Sequence, residues 1–305
     1  MALHVPVLLQ SVLAGLVMRQ DGVYIDATFG RGGHSCAILE QLTAQGRLIA
    51  FDQDPEAIVF GRQFTDPRFT LVHTRFSQLQ RLAERFGLQG NIDGILLDIG
   101  VSSPQLDDAQ RGFSFRHDGP LDMRMDPSRG ETVAAWLARV DEITLANILY
   151  RYGQERYSRR IAHAILQYGR KTTIRTTRQL ADIIARAHPH WQKQKHPATR
   201  SFQALRIFIN DELNELHQCL EQSQHVLKPG GRLVVICFHS LEERLIKQWL
   251  RAPAIPRHLP ITQQALSQLT PKWRAVGKAM RADKTDRAAN RRCRSAVLRV
   301  IEKIA

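Results

Sequence analysis

The stretch Tyr24-Ile25-Asp26-Ala27-Thr28-Phe29-Gly30-Arg31-Gly32-Gly33-His34-Ser35 reads as a short buried strand, a glycine-rich turn and the start of a helix. Glycines at 30, 32 and 33 let backbone N–H groups approach a ligand where side chains would block it. A second apolar strand, Leu48-Ile49-Ala50-Phe51, ends in Asp52. An acidic residue roughly 20 positions beyond a glycine turn, at the end of the next strand, is the usual ligand of a ribose diol. The spacing Gly30-x-Gly32-Gly33 is not G-x-G-x-x-G, whose third glycine allows close helix–strand packing. It favours a single nucleoside with a small charged tail, held on N–H groups near the helix start, over a dinucleotide. The glycines alone would equally serve a plain tight turn; Asp52 is what tilts the reading.

Further apolar runs of strand length recur at Phe69–Val72, Ile95–Leu97 and Leu233–Ile236, with helical patterns such as Cys36–Leu42 and Gln78–Phe86 between the earlier ones. Strands alternating with helices predict an α/β fold with a doubly wound, mostly parallel sheet. Buried parallel strands read as continuous apolar runs, as these do. The fourth and fifth runs lie too far apart for one crossover helix. The intervening segments Glu142–Arg151, Ser158–Tyr168, Thr177–His188 and Ser201–Gln222 have helical patterns. Residues 107–210 are therefore expected to form an inserted helical domain, and 1–106 with 211–305 the sheet domain. Lys228-Pro229-Gly230-Gly231 reads as a turn feeding the fifth strand. Ala252–Pro260 and the basic Trp273–Arg294 read as a long loop, and Ala296–Ile301 as a last strand closing the sheet edge.

Charge placement narrows the partner. The net charge of +14 is concentrated in two blocks. Residues 151–210 carry 13 Lys and Arg against 2 Asp and Glu, and residues 272–299 carry 10 against 2. Such blocks suit a phosphate backbone; a generally basic, solvated surface is the plainer account. Arg200, Gln203, Arg206 and Asn210 fall on one helix face, and Phe202, Leu205, Ile209 and Leu213 on another. The polar face either lines an RNA cleft or is simply solvated. Tyr150, Tyr152, Tyr157 and Trp191 among these basic residues could stack on unpaired bases or pack between helices.

No window approaches the roughly 18 apolar residues of a membrane span, and the start of the chain lacks the basic region and cleavage pattern of a signal peptide. Four cysteines, 36, 219, 237 and 293, are scattered with no C-x-x-C pair. They argue against a zinc site or a disulfide framework and for a reducing, cytoplasmic setting.

Two more residues belong at strand ends. Phe76 follows the third strand, where an adenine ring could stack or the residue could cap the core. Asp98 follows Ile95-Leu96-Leu97 and would emerge at the crevice shared by Gly32 and Asp52, where open α/β sheets bind ligands; a turn or cap role is the alternative.

Several blocks in order carry a resemblance that spans nearly the whole chain. They include His4-Val5-Pro6-Val7-Leu8-Leu9, Ile25 to Ser35, Asp93-Gly94-Ile95-Leu96-Leu97-Asp98-Ile99-Gly100-Val101-Ser102-Ser103-Pro104-Gln105-Leu106-Asp107 and Arg111-Gly112-Phe113-Ser114-Phe115. They continue through Gly119-Pro120-Leu121-Asp122-Met123-Arg124-Met125-Asp126, His196-Pro197-Ala198-Thr199-Arg200 and Phe238-His239-Ser240-Leu241-Glu242. The chain resembles the ribosomal RNA small subunit methyltransferase H (MraW) family of class I S-adenosylmethionine-dependent methyltransferases. The resemblance implies N4-methylation of a cytidine in the decoding region of 16S rRNA, with S-adenosyl-L-methionine as donor and the rRNA or small ribosomal subunit as partner. It further implies that Gly32, Gly33 and His34 hold the cofactor, that Asp52 takes the ribose hydroxyls, that Phe76 lies against the adenine, and that Asp98 and Gln105 complete the pocket. It also implies the inserted helical domain. Asn290-Arg291-Arg292-Cys293-Arg294-Ser295 departs from the family's Asn-Pro-Arg-Ala-Arg-Ser, which affects the path of that loop rather than the reaction.

The N4 amine of cytosine is conjugated with its ring and needs acceptors for its N–H groups. Ser102-Ser103-Pro104-Gln105 matches only in part the Asp/Asn/Ser-Pro-Pro-aromatic motif that supplies them in many amino-methyltransferases. Ser102, or backbone carbonyls beside it, with His239 from the fifth strand nearby, are the candidate acceptors. C5 chemistry would need a cysteine nucleophile, and Cys237 sits amid apolar residues instead. A different class remains open on sequence, a basic RNA-binding ribosome-assembly factor with a vestigial cofactor pocket; a third, a nicotinamide oxidoreductase, is disfavoured by the glycine spacing.

Overall fold

A computed structural model of the chain describes residues 6–190, 196–251 and 272–304. It divides into two units, one of residues 1–100 and 213–305, the other of residues 101–212. The helical unit thus begins at Val101 rather than at Asp107 and ends at Glu212 rather than at Asn210.

The first unit is built on eight strands: β1 (Val23–Asp26), β2 (Arg47–Asp52), β3 (Phe69–His73), β4 (Ile92–Asp98), β5 (Leu227–Cys237), β6 (Trp273–Ala275), β7 (Met280–Arg281) and β8 (Val297–Lys303). Their order is β3-β2-β1-β4-β5-β8-β6, with β7 also pairing β8. Strands β1 to β5 pair in parallel, and β8 is antiparallel to β5. This is the doubly wound arrangement expected, and its direction of winding reverses between β1 and β4. The central strands are apolar on both faces because both faces are covered. Ile25, Ile49, Phe51, Ile95, Leu97, Leu233 and Val235 belong to one core cluster, whereas Tyr24, Leu48, Leu96, Val234 and Ile236 belong to a second. Alternate residues of one strand thus feed opposite layers.

Three local expectations are corrected. The single helix expected over Ser201–Gln222 is two, Ala198–Ile209 and Glu212–Val226. They part where Asp211 takes a left-handed conformation, φ 53°, which an α-helix cannot contain. Lys228–Gly231 lies within β5, where the pairing with β4 shifts register between Ile92 and Gly94. The last strand is not an edge, because β6 and β7 pair along its outer side. The region expected to be a loop after Trp273 therefore supplies those two strands and a helix, Lys284–Ala289. The expected loop at Ala252–Pro260 lies outside the described residues. Among those residues, no helix is long and apolar enough to cross a membrane.

The second unit is helical. Its longer helices are Glu142–Gly153, Ser158–Gly169, Thr177–Ala187 and Ala198–Ile209, preceded by the short Ser103–Asp107 and Val133–Leu137. Side chains of Asp141 and Thr176 cap two of them at their N-termini, as short acceptors do. The core gathers Leu145, Leu149, Ile161, Ile165, Leu180, Ile184 and Phe202 at helical spacing. Irregular chain between Arg111 and Asp126 is tied down by buried polar groups. Arg111 donates to the carbonyls of Arg124 and Met125. Asn210 accepts from Met125 N–H at 2.7 Å and donates to the Met123 carbonyl at 2.8 Å. Asn210 is therefore a buried structural residue and not part of an open polar face.

Candidate active site

Three carboxylates stand at the C-terminal ends of three adjacent parallel strands: Asp52 on β2, Asp26 on β1 and Asp98 on β4. Each is placed by the turn that follows its strand. After β1 the chain enters the glycine turn and then the helix Gly33–Gln41. Asp26 is fully buried, accepting from the Ser35 hydroxyl at 2.7 Å and from Thr28 N–H at 3.2 Å. It clamps the turn onto the strand. Thr28 Oγ1 in turn accepts from Asp98 N–H at 2.7 Å, tying β1 to β4 at the point of reversal. In the sequence, the signal for Asp26 and Thr28 is their place inside the glycine motif.

Asp52 accepts from Gly30 N–H at 2.8 Å and from Asp54 N–H at 2.9 Å. Burial pushes its carboxyl up to about 6, against the pull of those two N–H groups. Each oxygen keeps a second lone pair, so the pair can accept from vicinal hydroxyls. Gly30 has φ +55° with open space where a Cβ would stand. Gly32 has φ +72°, and a Cβ there would lie 2.4 Å from the Phe64 ring. The first glycine leaves a cradle open, while the second lets the turn close over the Phe29–Phe64–Phe69 cluster. Gly32 caps the helix Gly33–Gln41 without any side-chain bond. The opening N–H groups at Gly33, His34 and Ser35 lack helical acceptors and favour an anionic group.

His34 is buried, with Nε2 at 3.0 Å from the Val7 carbonyl and Nδ1 at 3.6 Å from Asp98 Oδ2. Burial raises the Asp98 carboxyl to about 6; His34 opposes this, and Asp26 and Glu242 add to it. Asp98 Oδ1 is buried with no hydrogen-bond partner among the described residues. A buried carboxylate oxygen left without a donor is costly, and its natural complement is a ligand N–H or O–H. Together, the open cradle at Gly30, the uncapped helix start and the orphaned Asp98 oxygen fit a nucleoside carrying a charged amino-acid-like tail. Phe76 opens a short 3-10 helix and is half-buried against the sheet core, which leaves part of its ring exposed.

The remaining candidates have local partners already. Within the sheet unit, His239 caps the helix Ser240–Trp249 by accepting from Glu242 N–H through Nδ1. Its Nε2 lies 2.9 Å from Glu242 Oε1 but outside hydrogen-bond geometry, buried with no hydrogen-bond partner among the described residues. Cys237 is buried, and burial drives its thiol strongly upward, so it is no nucleophile. Within the helical unit, Ser102 and Gln105 form a capping box on Ser103–Asp107: Gln105 Oε1 accepts from Ser102 N–H at 2.9 Å, and Ser102 Oγ accepts from Gln105 N–H at 3.4 Å.

On the helix Ala198–Ile209, Arg206 does not present an open guanidinium. It makes two 2.7 Å bonds to Glu212, both side chains being largely buried. Arg200 donates to the Gln154 carbonyl at 3.3 Å and remains partly exposed, as does Gln203. Exposed cations of this unit include Arg151, Arg156, Arg159, Arg160, Arg170 and Arg178. Tyr152 and Tyr157 pack against the helical core, whereas Tyr150 is exposed. Trp191 lies outside the described residues.

An open α/β sheet with acidic strand ends around a glycine turn at its point of reversal is the frame of a nucleoside-cofactor site. The chain belongs to the MraW methylase family, whose model matches residues 1–304. It is 52% identical over 306 residues to a ribosomal RNA small subunit methyltransferase H of Chromohalobacter salexigens, covering 99% of this chain and 92% of that one. Among solved structures it is similar to a putative rRNA methylase from Clostridium thermocellum, at 12% identity and TM-score 0.43, over 97% of this chain and 93% of that one. It is also similar to a SAM-dependent O-methyltransferase from Thermotoga maritima, at 11% identity and TM-score 0.40, over 97% of this chain and 64% of that one.

Proposed function

We propose that this protein transfers a methyl group from S-adenosyl-L-methionine to the N4 amine of a cytidine in the decoding region of 16S rRNA. The observation that carries the reading is the row of carboxylates at β2, β1 and β4 around an uncapped helix start, in a chain matched along its length by a methylase family. The 52% identity to a small-subunit rRNA methyltransferase supports the substrate, and the exposed arginines of the helical unit suit a phosphate backbone. The setting is cytoplasmic, with the rRNA or the small subunit as partner.

When bound, the cofactor supplies an electrophilic methyl on a sulfonium centre. The chain's residues hold and orient. Asp52 takes the ribose hydroxyls, and Phe76 lies against the adenine. The N–H groups of Gly33 and His34 meet the tail carboxylate, Gly32 having shaped the turn that presents them. The Asp98 carboxylate accepts from the tail ammonium. Gln105 completes the pocket through the turn it fixes at Ser102. Rate enhancement comes mainly from placing the amine in line and excluding water. In this reading Ser102 Oγ accepts an N–H of the N4 amine and so biases its lone pair toward the methyl. His239 is held by Glu242 and acts as a positioning residue. Arg200 and Gln203 contact RNA, while Arg206 supports them through Glu212.

Titration calorimetry with S-adenosylmethionine and with NAD tests the cofactor half of this. Binding of the former alone is expected. Binding of NAD, or of neither, would transfer the protein to the oxidoreductase or the assembly-factor reading.

A further inference from the structure

The helical unit contains a second recessed polar site that the methyl transfer does not use. A cleft of about 220 Å³ is lined by residues that include Glu155, Arg156, Tyr157, His188, His190 and Arg200. It is smaller than the roughly 300–1,000 Å³ of clefts that take drug-sized ligands, so it suits one planar group. At its wall Glu155 is 1% exposed. Its Oε1 accepts from Tyr157 N–H at 2.9 Å, while its Oε2 is buried with no partner among the described residues. The nearest ring nitrogen does not satisfy it. His188 Nδ1 accepts from His190 N–H at 3.3 Å, so Nε2 carries the proton, yet Nε2 stands 3.7 Å from Oε1. A buried carboxylate oxygen in this state calls for an external donor.

We infer that this cleft holds an unpaired guanine of the RNA substrate, with Glu155 accepting from its N1–H and N2–H groups. The inference rests on the proposed RNA substrate. Guanine is the base whose edge offers two adjacent donors, one for each carboxylate oxygen. Adenine and cytosine each offer one exocyclic amine beside an acceptor, and the N3–H of uracil stands between two carbonyls that would face the carboxylate. Tyr157 supplies an aromatic wall: its ring meets His188 edge-on at 4.9 Å and 78°, and lies 6.2 Å from His190. Single-stranded RNA is read in this way, by stacking and by hydrogen bonds to a splayed base. Arg156 is exposed and Arg200 partly exposed at the same cleft, where they meet the flanking phosphates or O6. A metal ion is a poorer occupant, since these histidines and Glu155 do not converge as a ligand set among the described residues.

The test compares short unstructured RNAs of sequence UUGUU, UUIUU and UUAUU, where I is inosine, by fluorescence anisotropy on the full chain. Wild type is expected to prefer UUGUU over UUAUU by roughly tenfold or more, with UUIUU between them because it lacks the N2 amine. Glu155→Gln keeps an oxygen for Tyr157 N–H and is expected to abolish that preference. Its thermal unfolding, compared with wild type, reports whether the fold is intact. Tyr157→Leu is the second variant, and is expected to weaken all three RNAs while keeping their order. Equal binding of the three RNAs by wild type, or an unchanged preference in Glu155→Gln, would overturn the inference. Wild type that methylates rRNA yet shows no guanine preference overturns this inference alone. Guanine preference without methylation overturns the proposed function alone.

Discussion

His34 Nε2 lies 3.0 Å from the Val7 carbonyl while Nδ1 of the same ring faces Asp98 Oδ2 at 3.6 Å. A carbonyl only accepts, so Nε2 carries a proton. A neutral ring would then turn its Nδ1 lone pair toward a carboxylate. The chain thus holds a carboxylate that burial lifts to about 6, one of whose oxygens no donor among the described residues reaches.

On the proposed reading of the site, that arrangement trades stability for binding. A carboxyl whose folded value is about 6, against 3.8 as reference, binds more protons folded than unfolded. The ligand-free protein therefore loses stability as pH rises from about 4 to about 6, and regains it as pH falls through that range. Asp98→Asn removes the buried charge. It is expected to raise the stability of the ligand-free protein near neutral pH by about 1–3 kcal/mol, to flatten this part of the pH profile, and to weaken S-adenosylmethionine binding. Thermal unfolding across pH with calorimetry on the same samples checks all three effects. A destabilised variant with unchanged affinity would contradict the assignment.

The two glycines of the turn separate cradle from scaffold. Gly30→Ala meets open space, so it costs only the left-handed backbone, about 1–2 kcal/mol, yet fills the cradle. Gly32→Ala adds a clash with the Phe64 and Phe29 rings, a further about 1–3 kcal/mol. Stability is expected to fall more in Gly32→Ala. Cofactor affinity, measured well below each melting temperature, is expected to fall at least as much in Gly30→Ala.

Arg206 and Arg200 share a helix but differ in role. Arg206→Ala leaves Glu212 buried without its bidentate partner, which is expected to cost about 3–5 kcal/mol. Arg200→Ala is expected to leave the melting temperature nearly unchanged and to lower the slope of log affinity against log salt for RNA by about 1. An unchanged slope would remove Arg200 from the RNA surface.

Ser102→Ala breaks the capping box with Gln105, at about 0.5–2 kcal/mol. If Ser102 also orients the amine, the single-turnover rate of methyl transfer falls while cofactor affinity holds. Ser102→Thr keeps both cap and hydroxyl and is expected to restore most of the rate. A variant that loses stability alone makes Ser102 a cap and nothing more.

What could be read in advance follows the physics of each element. Leu48–Phe51 and Ile95–Leu97 announce parallel strands because both faces of such strands are buried. Asp52 and Asp98 follow from the rule that ligands bind at the carboxyl ends of those strands. The break at Asn210–Asp211 was hidden because the apolar periodicity runs through it. Only tertiary bonds from Asn210 to Met123 and Met125 reveal why the helix stops there. Strands β6 and β7 are short, and they exist because β8 offers an edge; nothing in their own sequence outweighs a loop. Arg206 looked like any exposed cation at helical spacing, since its partner Glu212 lies beyond the break.

The central claim is the position of the methyl group. Incubating the protein with S-adenosylmethionine and unmodified small subunits or 16S rRNA, then digesting the RNA for nucleoside mass spectrometry, reads it directly. N4-methylcytidine is expected, absent from the control without protein and strongly reduced with Asp98→Asn. Methylation at C5 or on a ribose, or no methyl transfer to either RNA substrate, would contradict it.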